Sequence, residues 1–324
     1  MSRTVLITGA AGMIGRHVAE AHRLAGDEVA GLVRPSEAAD APEGIRVLIG
    51  DVTDAASCRA AMDETRPDVV HHYAAQSVNG PSRQIPVATL TANVIGTQTV
   101  LEAAAAMETP PAVLVAGSSA AYGKGAVDPG RTRESCPLIP ASPYGVSKAA
   151  AEMLTRSYAL TGRLAAGTVR LFNQVGPGLP AGAAMGRFCR GIARIEAELD
   201  SPVLRTGPLS GIRDFSDVRS TATCLVALVP ELVAGRWHTV NVCTGEGRTV
   251  GEMLGVAAHH ARVRFDIRVD EDLGRRFDEA NLVGDPARLV ELIGHSAATV
   301  GARCVGATLD WWRNRVGAGR GAAT

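Results

Sequence analysis

Short apolar runs alternate with longer amphipathic stretches through the first half of the chain. TVLITG, EVAGLV, RVLIG, DVVHHYA and AVLVAG are continuous, β-branched-rich runs of strand length. Each predicts a strand covered on both faces, because a half-exposed strand would alternate. Between them HVAEAHRLAG, DAASCRAAMDE and TANVIGTQTVLEAAAAM carry helical spacing, and SKAAAEMLTRSYALTG followed by AAGTVRLFN predicts a longer helix and a further strand. Strand and helix in regular alternation require parallel strands with right-handed crossovers, so the expected fold class is α/β, a doubly wound parallel sheet. After Asn173 the pattern changes to the Gly/Pro loop QVGPGLPAGAA, a helix, a short strand around PVLRTG and mixed elements. The expectation is a first domain over 1–172 and a smaller α/β lobe over 173–324. Within that second part about 212–243, with DVRSTATCLVALV and HTVNVC, is expected to return to the first sheet. The terminal GAGRGAAT is expected to fray.

Composition narrows the class. A chain of 324 residues with 46% hydrophobic residues and 36 glycines is long enough to bury a sizeable core. Formal net charge is +0 and no basic block occurs, which argues against nucleic acid or a polybasic membrane contact. MSRTVLITGAAG runs straight into a strand, without the apolar core of a signal peptide, and no run reaches the length of a membrane span. The six cysteines are scattered with no CxxC pair, which reads as buried free thiols in a reducing cytoplasm, with no metal site. His71 and His72 lie in an apolar strand and read as satisfied core histidines. Only Lys124 and Lys148 are lysine among the basic residues. Such a bias follows from base composition, and it makes a retained lysine a candidate for work that arginine does not do.

Candidate chemistry begins at TGAAGMIG, which places Gly9, Gly12, Met13, Ile14 and Gly15 directly after the first strand and at the start of a helix. Glycines there permit a tight turn and let backbone N–H groups approach a pyrophosphate, which points to a dinucleotide. At the end of the second strand, where an acidic residue would read a ribose 2′-hydroxyl, the chain has Val33 and Arg34. An arginine favours a 2′-phosphate, so NADP(H) is expected over NAD(H), which stays possible. Asp51 and Val52 in GDVTD stand where an adenine could rest, and Ala74 and Ala75 in HHYAAQS are small where backbone must pass close to the cofactor. SPYGVSK puts Tyr144 and Lys148 at i and i+4, on one helix face. A phenol has a pKa near ~10, and a neighbouring ammonium favours its phenolate.

TGAAGMIG, HHYAAQS, NVIGT, GSSAAYGK and SPYGVSK, in this order and spacing, resemble the extended short-chain dehydrogenase/reductase family over nearly the whole chain. The resemblance implies a Rossmann-type sheet, a Ser/Thr–Tyr–Lys triad, a nucleotide-sugar substrate and a homodimer through the helices containing TVLEAAAAM and Tyr144. Ser118 matches the triad serine, Tyr144 the acid/base and Lys148 its partner, while Ser119 supports the turn or touches substrate, as does Gln76. FNQVGPG, RDFSDV, VNVCTG and the late R-x-x-D beginning at Arg275 resemble the GDP-4-keto-6-deoxy-mannose reductases, with Asn173 and Arg213 at matching substrate-binding positions. Arginines such as Arg213 and Arg275 suit a diphosphate because the guanidinium fork pairs bidentately with its oxygens.

The alanines of GSSAAYG bear on the reaction. Related 4,6-dehydratases carry a carboxylate two residues after the triad serine or threonine, and here that position is Ala120. A methyl group exchanges no proton, so dehydration by that route is disfavoured. The departure also bears on the reductase reading, since some related enzymes keep an acid there, and it is compatible with reduction or epimerisation. Reduction of a nucleotide-linked 4-keto-6-deoxyhexose is the leading expectation and 4-epimerisation with tightly held NAD the alternative. A non-catalytic nucleotide sensor is the reading from another class, and an intact Ser–Tyr–Lys set argues against it.

Overall fold

The computed structural model describes residues 2–77, 82–127, 129–270 and 281–319. The first half contains β1 (Thr4–Thr8), α1 (Met13–Leu24), β2 (Glu28–Val33), β3 (Arg46–Ile49), α2 (Ala55–Thr65) and β4 (Val69–His72). It continues through α3 (Pro86–Leu90), α4 (Gly96–Ala105), β5 (Ala112–Ser118), α5 (Pro143–Leu160) and β6 (Ala166–Leu171). Next come β7 (Asn173–Val175), α6 (Ala184–Glu196), β8 (Val203–Thr206), β9 (Ile212–Asp217), α7 (Val218–Leu228) and β10 (His238–Val242). The last elements are β11 (Gly247–Thr249), α8 (Val250–His259), β12 (Asp266–Val269), β13 (Asn281–Leu282), α9 (Ala287–Ile293) and α10 (Ala302–Gly317).

Seven parallel strands form one sheet in the order β10-β6-β5-β4-β1-β2-β3, the doubly wound arrangement of a Rossmann-type fold. The continuous apolar runs have a simple cause in β1: Val5 and Ile7 enter the core on one face, with Val18 of α1 and Leu225 of α7. Leu6 enters the core on the other face, with Met62 of α2, Leu101 of α4 and Tyr158 of α5. One run departs from the expectation. β3 is the edge strand, and its Val47 and Ile49 are 40% and 55% exposed. Its apolar run encodes strand propensity but not whether a neighbouring layer covers it.

Two helical expectations are also refined. α5 extends the SKAAAEMLTRSYALTG stretch back to Pro143 and so includes Tyr144, because the Ser142 side chain accepts from the Gly145 N–H at 3.1 Å and proline presets the first helical position. The stretch expected as one helix from Thr91 opens with a π-helical turn, Thr91–Ile95, before α4. That turn carries Asn93, whose side chain reaches out of its own helix.

The strand expected over 165–173 divides at Phe172: β6 stays in the large sheet, and β7 pairs with β9. β9 also pairs with β11 and β13, so residues 212–217 join a small sheet, while α7 packs on α1 and β10 completes the large sheet beside β6. A second core forms where Phe188 and Ile192 of α6 meet Met253 and Leu254 of α8 and Val305, Leu309 and Trp312 of α10. Leu289 of α9 is buried in the first core. Of the tail expected to fray, residues from 320 onward lie outside the described part. Among the described residues no helix is long and apolar enough to cross a membrane.

Candidate active site

A cleft of about 950 Å³ opens at the C-terminal ends of the parallel strands, with α6 and the β7/β9 region forming its opposite wall. It sits over β1, whose neighbours β2 and β4 are reached by crossovers on opposite faces, the place where open α/β sheets bind ligands. Its floor is the turn after β1. Gly9 has φ +70°, and a side-chain carbon there would lie 2.6 Å from the Ala74 nitrogen. At Gly15 such a carbon would collide with the Gly9 carbonyl oxygen. Gly12 begins α1 with no side-chain cap and no acidic residue in the first turn, so the helix N-terminus presents uncapped N–H groups to the cleft. Met13 and Ile14 also line it. A turn that excludes side chains at Gly9 and Gly15 and ends in uncapped donors fits the pyrophosphate of a dinucleotide.

Arg34, Asp51 and Val52 line one end of the cleft. The Asp51 carboxylate accepts from the Thr53 N–H and hydroxyl, both at 2.8 Å, and Val52 packs against Gly96, where an added side-chain carbon would come within 2.8 Å of it. Arg34 is not alone. Its Nη2 donates to Glu37 Oε1 at 2.5 Å, and this bond, against partial burial, raises its already high pKa with help from the charges of Glu37 and Asp51. Glu37 also lines the cleft, and sequence pattern did not single it out.

Ala74 and Ala75 line the middle of the cleft at the end of β4. The Thr97 hydroxyl donates to the Asn93 carbonyl at 2.6 Å, so it accepts from His72 Nε2–H at 3.0 Å. His72 Nδ1 then accepts from the Thr8 hydroxyl at 2.7 Å, and the Thr8 oxygen accepts the Ala74 N–H at 3.2 Å. Burial, assisted by the Lys148 charge, pulls the His72 pKa down to about 3, so the ring stays neutral. His71 belongs to a second chain: Tyr73 O–H to His71 Nδ1 at 2.7 Å, His71 Nε2 to His22 Nε2 at 2.8 Å, and His22 Nδ1 to Asp27 at 2.7 Å. Both histidines are thus bonded core groups. Among the described residues no cluster of histidine, cysteine and carboxylate side chains could hold a metal. The side chain of Asn93 accepts from the Gln76 N–H at 2.7 Å and donates to the Gln76 carbonyl at 3.0 Å and to the Ser147 hydroxyl at 2.8 Å. The π-helical turn therefore ties the end of β4 to α5, a role its position in an Ala-rich helix hid.

Ser118, Tyr144 and Lys148 converge on the cleft. Ser118 ends β5, and its oxygen accepts the Ala120 N–H at 3.2 Å, which leaves its own proton free to donate. Burial raises the Tyr144 pKa, against the opposing effect of a hydrogen bond with Ser118. Lys148 contributes nothing to this shift in the chain alone, where its ammonium donates to the Ala116 carbonyl 2.8 Å away. Tyr144 is therefore a protonated acid at neutral pH. Burial pulls Lys148 itself down to about 8. Lys124, the other lysine, is exposed and away from the cleft.

Gln76, Ser119, Asn173 and Arg213 line the remaining wall, whereas Arg275 lies outside the described residues. The neighbour of Arg213, Asp214, is fully buried and accepts from the Thr244 and Gly245 N–H groups at 3.0 and 2.9 Å. It anchors the turn after β10 beneath β9. Arg187 and Phe188 of α6 also face the cleft, and their helical spacing alone did not reveal them.

The model of the NAD dependent epimerase/dehydratase family matches residues 5–243. The chain belongs to that family. It is 30% identical over 250 residues to the GDP-6-deoxy-D-mannose reductase of Pseudomonas aeruginosa, covering 77% of this chain and 82% of that one. Among solved structures, RMD from Pseudomonas aeruginosa complexed with NADPH superposes with a TM-score of 0.81 at 28% identity, covering 97% of this chain and 99% of that one. The UDP-glucose 4-epimerase of Thermus thermophilus in complex with NAD superposes with a TM-score of 0.82, also at 28% identity, covering 95% and 98%. The family membership makes this chain an NAD(P)-dependent enzyme of nucleotide-sugar chemistry, in keeping with the glycine floor and the Ser–Tyr–Lys set of the cleft.

Proposed function

We propose that this chain reduces a nucleotide-linked 4-keto-6-deoxyhexose, GDP-linked as in the reductase relative, with NADP(H) favoured over NAD(H). The observation that carries the reading is the protonated Tyr144 beside Ser118 on a cleft whose position two residues beyond Ser118 is a methyl group, Ala120. The names of the reductase relative and of the NADPH complex support it. Gly9, Gly12, Met13, Ile14 and Gly15 would hold the pyrophosphate, Asp51 and Val52 the adenosine, and Arg34 the 2′-phosphate. When bound, the reduced nicotinamide supplies the hydride. Tyr144 gives its proton to the carbonyl oxygen as that oxygen becomes a hydroxyl. Ser118 donates to the same oxygen and orients it, and the Lys148 ammonium, on the same helix face, offsets the charge left on the phenolate. Gln76, Ser119, Asn173 and Arg213 would hold the sugar nucleotide, with Arg213 on the diphosphate.

A 4-epimerase reading has one feature in its favour, the Glu37 carboxylate already seated on Arg34, which weakens the argument for a 2′-phosphate. The deciding measurement follows NADPH and NADH absorbance with GDP-4-keto-6-deoxy-mannose formed in place by a dehydratase. Consumption by the wild type, with at least a roughly hundredfold loss in Tyr144→Phe, is the expected result. Near-normal turnover in that variant would sink the mechanism, and epimer interconversion by protein carrying bound NAD would establish the alternative.

A further inference from the structure

The end of the cleft at β2 holds a charged residue that this mechanism does not use. Glu37 is the third residue of the 3₁₀ turn Pro35–Asp40, and the turn itself returns its carboxylate to Arg34. Oε1 accepts from Arg34 Nη2 at 2.5 Å, and Oε2 lies 3.4 Å from the Arg34 backbone nitrogen. Both side chains line the cleft beside Asp51. Arg34 and Glu37 are 60% and 36% exposed, so their ion pair is weak and displaceable rather than a fixed part of the fold.

We propose that Glu37 sets the coenzyme discrimination of this site, opposing a 2′-phosphate that Arg34 attracts and accepting a hydrogen bond from a 2′-hydroxyl. The inference rests on reading the cleft as a dinucleotide site. A 2′-phosphate carries close to two negative charges and needs the guanidinium fork for itself. To reach that fork it must displace the Glu37 carboxylate, which then stands beside it as a like charge. An uncharged 2′-hydroxyl needs no such displacement and can donate to Glu37 directly. Arginine and glutamate thus pull in opposite directions, and the wild type accepts both coenzymes with modest preference for the phosphorylated one.

The test uses calorimetric binding of 2′,5′-ADP and of 5′-ADP, at one ionic strength, to the wild type, E37Q, E37A and R34A. E37Q keeps an acceptor oxygen and removes only the charge. It is expected to tighten 2′,5′-ADP on the order of tenfold while 5′-ADP stays within about twofold. R34A is expected to weaken 2′,5′-ADP by about as much. A ratio unchanged in both Glu37 variants, or a shift shared equally by both ligands, overturns the role of Glu37. Binding of neither ligand to any form, wild type included, overturns the dinucleotide reading and the inference with it.

Discussion

Lys148 is the residue on which burial and chemistry compete most directly. Burial brings it from a usual value of 10.5 down to about 8, so its native ammonium is held at a cost. Below about pH 8 both folded and unfolded chains carry the proton, and the whole cost is present. Between about 8 and 10.5 the unfolded chain binds the proton more tightly, so stability rises with pH there. Lys148→Met is therefore expected to be more stable than the wild type at pH 7, by up to ~3 kcal/mol, in urea unfolding. The same change removes the charge that offsets the phenolate. Wild-type kcat/KM for reduction is expected to fall as pH rises through about 8, and the Met variant is expected to be slow and to lack that limb. A Met variant that kept the limb would assign it to another group.

The helix α5 owes its placement to a third residue on the face that carries Tyr144 and Lys148. Glu152 follows at the same four-residue spacing and pairs bidentately with Arg170 of β6, at 2.9 and 2.6 Å, with both side chains buried. Arg170 also donates to the Glu134 carbonyl at 3.0 Å and lies 4.6 Å from the Tyr122 ring centre, so it joins α5, β6 and the segment after β5. Arg170→Met leaves an uncompensated buried carboxylate and is expected to cost about 3–5 kcal/mol, whereas the double variant with Glu152→Met is expected to recover most of it. Denaturation of the two variants checks this, and equal destabilisation would mean that the pair contributes through packing alone. The alternation of helix and strand was readable in the sequence, as was the shared face of Tyr144 and Lys148. The π-helical turn at Asn93 was not, because its partners Gln76 and Ser147 come from distant parts of the chain.

Val146, Met153 and Leu160 stand at seven-residue intervals along α5 and are 45%, 45% and 52% exposed. Val87 and Leu90 of α3, which packs beside α5, are exposed as well. An apolar stripe with this period on one helix suits packing against another helix, and we propose that it is the face of a homodimer. Met153→Asp is expected to shift the protein to monomers in analytical ultracentrifugation. A wild type that sediments as a monomer at micromolar concentration would remove the proposal.

Features that depend on neighbours along the chain could be read from the residues alone. Strand and helix periods, the glycine turn after β1 and the four-residue spacing on α5 are local, and they sufficed for the fold class, the glycine floor of the cleft and its Tyr144–Lys148 pair. Features that depend on partners far apart in the chain emerged only when the layers packed. Packing left β3 uncovered at the sheet edge, and it turned His72 into a neutral link between Thr8 and Thr97. It also buried Tyr144 deeply enough to keep its proton against the opposing hydrogen bond with Ser118. In each case the deciding quantity is solvent exclusion by distant segments, and no short stretch of sequence contains that.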